Sequence, residues 1–151
     1  MAKPRFNHVA MTVPPDLLDA DGRARILEFY GDVFGWAEMP TMTEDRKRLV
    51  LMAYEFGQFV FLEAADAPMR TNPDDHFGMA VESMEELDAM LARAKVWQAK
   101  DARVRIVDKH VDDFQVLHLT SFYLQHLLPL MIEVQHFAWQ SPGGAPPSAP
   151  E

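Results

Sequence analysis

The sequence predicts an α+β fold in which one βαβββ module is written twice. Three observations predict it. The order strand, helix, three strands occurs twice in succession. The first strands match at an offset of 68: His8-Val9-Ala10-Met11-Thr12-Val13 lines up with His76-Phe77-Gly78-Met79-Ala80-Val81, so that His, Met and Val recur. The last strands match at an offset of 70, one closing in Phe61-Leu62-Glu63 and the other in Met131-Ile132-Glu133. A near-constant offset marks internal duplication.

Each element has its own signal. Phe6 to Val13 is an apolar, β-rich run stopped by Pro14-Pro15. From Asp21 the period changes, and Ile26, Phe29, Tyr30, Val33 and Phe34 recur at helical spacing until Gly35 ends the helix. Strands are expected at about 36–42, 48–54 and 58–63, with Glu55-Phe56-Gly57 as the turn between the last two. A polar loop, 64–75, separates the halves. His76 to Val81 opens the second half, and Ser83 with Glu86 forms a capping box ahead of the stripe Leu87, Met90, Leu91, Ala94 and Trp97. Strands follow at about 103–111, 115–124 and 130–136. The Pro-rich tail, 141–151, is expected to be disordered. The whole reads as a single domain over 1–140, with module one at about 6–63 and module two at about 76–137.

Composition bounds the function. The 151 residues are 48% hydrophobic and 25% charged, enough for one domain with a sizeable core. Lys and Arg number 14 against 23 Asp and Glu, a net charge of -9. That charge speaks against nucleic acid or an anionic membrane as partner, since both require a basic surface. The lack of cysteine removes disulfide scaffolds, thiolate zinc sites, iron–sulfur clusters and cysteine nucleophiles together. The first eight residues carry no apolar signal core, and no apolar run reaches membrane-spanning length, so a cytoplasmic protein is expected.

Duplication draws attention to four residues, His8, His76, Glu63 and Glu133, which recur in pairs. Halves packed about a pseudo-two-fold axis would make the first strands symmetry mates, and the last strands likewise. Two histidines and two carboxylates would then converge, a set suited to a divalent metal such as Zn, Ni, Co, Mn or Fe(II). Strand parity supports this. His8 shares its face with Ala10 and Thr12, and His76 with Gly78 and Ala80, while the bulkier Met11, Val13, Phe77, Met79 and Val81 point the other way. Glu133 faces with Met131 and Gln135. Glu63 follows Phe59 and Phe61, at the end of an apolar wall where desolvation favours coordination or a raised pKa. His110, His118, His126 and His136 have no counterpart in the other half and read as structural residues.

The paired modules and these four residues resemble the vicinal-oxygen-chelate superfamily: glyoxalase I, bleomycin-resistance proteins, fosfomycin-resistance enzymes, methylmalonyl-CoA epimerase and extradiol dioxygenases. Glu28-Phe29-Tyr30-Gly31 and Phe34-Gly35-Trp36 also resemble the family's first helix and its ending. The resemblance implies two βαβββ modules forming an incomplete barrel around a metal. It places His8, His76 and Glu133 at the three commonest ligand positions and Glu63 at the fourth, which glyoxalase I uses. Departures are visible too. Thr12 and Ala67 stand where bacterial glyoxalase I holds glutathione with arginine and asparagine, and His126-Leu127-Leu128-Pro129 replaces the usual Asp-Pro-x-Gly turn. Tyr123 precedes Glu133 by ten residues, as in the extradiol signature, but His118 is too close to complete it.

The leading expectation is therefore a divalent-metal enzyme with isomerase, epimerase or lyase chemistry on a small oxygen-chelating substrate other than a glutathione adduct. Glu63 is the candidate general base, Glu133 a ligand and Tyr123 a hydrogen-bond donor near the metal. With only His8, His76 and Glu133 bound, the site would suit an Fe(II) dioxygenase. A protein that binds a small molecule without chemistry is the rival from another class. A small-molecule partner and a homodimer are expected in any case.

Overall fold

In a computed structural model, described over residues 3–141 and 143–146, the chain divides into two compact units. The first comprises residues up to Asp75 together with Leu127–Leu130, and the second His76–His126 with the residues from Met131 on. Each unit carries one βαβββ repeat, with one exchange between them. Leu127–Leu130 belongs with the first, where Thr71 Oγ1 donates to the Pro129 carbonyl at 2.8 Å.

The first unit contains β1 (His8–Val13), α1 (Ala20–Phe34), β2 (Ala37–Glu38), β3 (Arg48–Met52) and β4 (Phe59–Ala64). Its sheet order is β1-β4-β3-β2, with β1 parallel to β4 and the other pairs antiparallel. Period-2 alternation decides the faces. Met11, Val13, Val60 and Leu62 are buried, as are Ile26, Phe29, Tyr30 and Val33 of α1. Asp19 caps α1 by accepting from Gly22 N at 2.8 Å, and Gly35, at φ 74°, ends it in the left-handed conformation that glycine adopts without penalty. The expected strand 36–42 is cut to two residues because Pro40 opens a 3₁₀ turn, Pro40–Met42. A second such turn, Pro15–Leu18, precedes α1.

The second unit contains β5 (His76–Val81), α2 (Met84–Lys100), β6 (Arg105–Asp113), β7 (Leu117–Gln125) and β8 (Met131–Trp139), with sheet order β5-β8-β7-β6. Here too the first and last strands pair in parallel. The Ser83–Glu86 capping box is formed in both directions. Phe122, Leu124, Ile132 and Val134 are buried on one sheet face, and so are Leu87 and Ala94 of α2, which touches all four strands. The other face carries His76, Gly78, Tyr123, Ser121 and Glu133, the residues that pair across β5, β8 and β7 at alternate positions. In the tail, Gly144 N donates to the Ser141 carbonyl, while Pro142 and residues 147–151 lie outside the described residues. No described helix is long and apolar enough to cross a membrane.

Candidate metal centre

Glu133 is the pivot of the second unit's polar face. Register places it between Gly78 on β5 and Tyr123 on β7, and it is only 8% exposed. A carboxylate so withdrawn from water requires partners, and both oxygens have one. The Tyr123 hydroxyl donates to Oε1 at 2.8 Å, and His76 Nε2 faces Oε2 at 3.3 Å. The rings of His76 and Tyr123 meet edge to face, 5.2 Å between centroids. Burial, followed by the hydrogen bond to Glu133 and that group's charge, pushes the Tyr123 phenol up to about 12, while the Ser121 hydroxyl acts in the opposite sense. At neutral pH Tyr123 is therefore a proton-bearing donor.

The His76–Glu133 pair fits a divalent cation. Two ligands each about 2.0–2.2 Å from one ion, and about 90–109° apart around it, lie roughly 2.8–3.6 Å from one another. The observed 3.3 Å falls in that interval. An imidazole nitrogen beside a carboxylate oxygen is also the donor chemistry that Zn, Mn and Fe(II) accept. Among the described residues, however, no three His, Cys, Asp or Glu side chains form a metal-holding group.

The first unit offers less than the sequence implied. His8 lies at the start of β1, with its ring stacked on Phe59 at 4.9 Å and 2° and its Nδ1 2.9 Å from Asn7 Oδ1. His8 and Glu63 do share a face, but His8 pairs with Phe59 and Glu63 pairs with Thr12, four residues farther along β1. The matching distance in the second unit is two residues, since His76 pairs with Met131 and Gly78 with Glu133. Phe61, opposite Ala10, is thus the register counterpart of Glu133, and Glu63 overshoots it by one same-face step of about 7 Å. The mirror relation expected between Glu63 and Glu133 does not hold in the strand pairing. Nor is Glu63 desolvated at the end of an apolar wall, for it is exposed and its register neighbours are Thr12 and Arg48.

His110 is the residue that reading the sequence missed. It stands on the same face, stacked on Tyr123 with centroids 5.9 Å apart and planes 3° from parallel. Its Nε2 lies 3.4 Å from the Oγ of fully buried Ser121 and 3.5 Å from Asp112 Oδ2. A line of polar contacts therefore crosses all four strands: His110 on β6, Ser121 and Tyr123 on β7, Glu133 on β8 and His76 on β5. Of the remaining histidines, His118 lies 3.4 Å from Asp113 at the hairpin end, and His136 pairs with Thr120 on the opposite sheet face.

No protein-family model matches the sequence, and no curated protein matches it. Solved structures do. A lactoylglutathione lyase from Agrobacterium tumefaciens superposes with a TM-score of 0.60 at 17% identity, covering 89% of this chain and 95% of that one. A glyoxalase/bleomycin resistance protein/dioxygenase from Alicyclobacillus acidocaldarius gives 0.61 at 18% identity, covering 91% and 95%. A point mutant of the fosfomycin resistance protein FosX from Listeria monocytogenes, complexed with Mn(II) and 1S,2S-dihydroxypropylphosphonic acid, gives 0.61 at 15%, covering 90% and 93%. The chain has the vicinal-oxygen-chelate fold. At such identities the likeness carries the fold and not the substrate, because these neighbours themselves differ in what they act on.

Proposed function

We propose that the protein is a divalent-metal-dependent enzyme of the glyoxalase type, with isomerase, epimerase or lyase chemistry on a small substrate that presents two neighbouring oxygens. The observation that carries this reading is the 3.3 Å approach of His76 Nε2 to Glu133 Oε2, with Oε1 already held by Tyr123. A bound ion supplies polarisation of a substrate oxygen and stabilisation of the charge that develops on it. Tyr123 keeps the Glu133 carboxylate in one orientation and holds its own proton at neutral pH. Gly78, opposite Glu133, has no side chain of its own, and a Cβ there would meet the Gln135 side-chain oxygen at 3.1 Å. The reading assigns ligand roles to His8 and Glu63, and a base role to Glu63, on sequence grounds. We expect a homodimer working on a small molecule, with neither nucleic acid nor membrane as partner.

One observation favours a second reading. Phe61 occupies the register place of Glu133 in the first unit, which favours the alternative ligand set without Glu63 that the sequence offers, His8, His76 and Glu133. That set suits Fe(II) and dioxygen, and makes Glu63 a bystander.

Metal analysis of protein purified without chelator tests both. Stoichiometric metal is expected in the wild type, with Mn(II), the ion bound by the Listeria protein, as the first to supply. His76→Ala and Glu133→Ala should lose most of it with the fold intact, and His8→Ala should do the same. A wild-type chain that takes up no divalent ion would instead favour the binding-protein reading. Glu63→Gln separates the enzyme readings: proton-transfer activity should fall about 100-fold or more if Glu63 is the base, whereas oxygen consumption should not change if it is a bystander.

A further inference from the structure

Strand β6 carries an irregularity that turns His110 towards the site. Val107 pairs with Tyr123 and His110 pairs with Ser121, so three residues of β6 span two of β7. Asp108 and Lys109 together oppose Phe122, which is the geometry of a β-bulge. Regular pairing onward from Val107 would have set His110 opposite Thr120, on the face that carries buried Phe122 and Leu124. The extra residue shifts the parity, and His110 joins Tyr123 and Ser121 instead.

The bulge is tied down from outside. Asp108 accepts from Lys95 Nζ at 2.8 and 3.0 Å, and Lys109 Nζ reaches Asp88 at 2.5 Å, so both bulge residues are anchored to α2. Each pair is exposed and individually weak, yet both act at the one place where the strand's parity changes. Bulges recur beside active sites because they re-aim side chains at the cost of ladder bonds.

We propose that His110 is a positioning residue for Tyr123, and through it for Glu133. The inference rests on the reading of His76 and Glu133 as metal ligands only for its consequence, not for its geometry. The imidazole covers one face of the phenol at 5.9 Å and 3°, an offset stack within the favourable range. It also engages Ser121 Oγ, which adjoins the phenol hydroxyl. These two contacts fix the phenol in the plane from which its hydroxyl donates to Glu133 Oε1, leaving Oε2 directed at His76. Partners that orient a ligand from behind typically matter about 10- to 100-fold in metal affinity.

The test uses the full-length protein with fluorotyrosine at its three tyrosines, Tyr30, Tyr54 and Tyr123, the last assigned through Tyr123→Phe. In metal-free protein, His110→Ala should shift or broaden the Tyr123 fluorine resonance, and His110→Phe, which keeps a stacking ring, should largely restore it. Circular dichroism and thermal unfolding check that both variants remain folded. A Tyr123 resonance in folded His110→Ala indistinguishable from wild type overturns the proposal. Mn(II) titration followed by the electron-spin resonance of the free ion reads the consequence, an affinity about 10-fold or more weaker in His110→Ala. Wild-type Mn(II) affinity in that variant also overturns it. Failure of the wild-type chain to bind Mn(II) counts against the metal reading alone, and the fluorine comparison then decides the role of His110.

Discussion

Glu133 shows how one side chain acquires a function from its neighbours. Its burial would be costly without hydrogen bonds, and Tyr123 and His76 supply a partner on each oxygen. The effect on Tyr123 is reciprocal. Burial and the adjacent carboxylate raise its phenol to about 12 from an ordinary value of 10.0. The folded chain therefore holds this proton more tightly than the unfolded chain does. The resulting stabilisation is complete below pH 10 and is lost as pH rises from 10 towards 12. Tyr123→Phe has no proton to lose, so its unfolding free energy in metal-free protein should fall less steeply across that window. Urea unfolding at several pH values gives the two slopes, and equal slopes would mean that the phenol is not held as the structure has it. Glu63 presents the opposite case, a carboxylate with the right neighbours in the sequence but an exposed place in the sheet.

At the scale of elements, α1 depends on a close approach at its start. A Cβ on Gly22 would lie 2.2 Å from the Leu17 carbonyl oxygen and 2.8 Å from that of Asp16, both backbone atoms of the preceding turn that cannot swing aside. Gly31, in the last turns of the same helix, would place a Cβ no nearer than 3.4 Å to the Trp36 carbonyl oxygen. Gly22→Ala should therefore destabilise the protein by about 1–3 kcal/mol, as overpacking does, whereas Gly31→Ala should be neutral or stabilise it by up to about 1 kcal/mol through helix propensity. Denaturant midpoints measure both, and a Gly22→Ala midpoint at or above wild type would refute the packing account. The elements themselves were largely legible. Helical spacing with Gly35 and the Ser83 capping box marked both helices, and parity assigned the faces of β1, β5 and β8 correctly. What escaped was whatever depends on pairing between strands. The bulge in β6 adds a residue that leaves no mark in the alternation of Arg105 to Asp113, so parity counted along the sequence puts His110 on the wrong face. The similar endings Phe61-Leu62-Glu63 and Met131-Ile132-Glu133 suggested equivalence by their wording, yet the parallel register with β1 and β5 sets them two residues apart.

At the scale of the whole molecule, shared architecture and shared substrate come apart. The chain superposes on a lactoylglutathione lyase over 89% of its length at a TM-score of 0.60, yet only 17% of the residues coincide. Function has to be carried by side chains placed on the common frame, and those on the first unit argue against a glutathione adduct. Thr12 stands where the resemblance expects an arginine, and its Oγ1 is already engaged as the acceptor of Met69 N at 2.7 Å, fastening the loop after β4. Ala67, in that loop, carries no hydrogen-bonding side chain in place of the expected asparagine. The net charge of -9 adds a long-range term of the same sign, since it repels an anionic tripeptide conjugate and attracts divalent cations. We therefore predict no lactoylglutathione lyase turnover with Zn, Ni, Co or Mn supplied in excess over the protein. Turnover of about 1 per second or more, within the ordinary range of enzymes, would show that this chain recognises glutathione by contacts other than the two positions that it lacks.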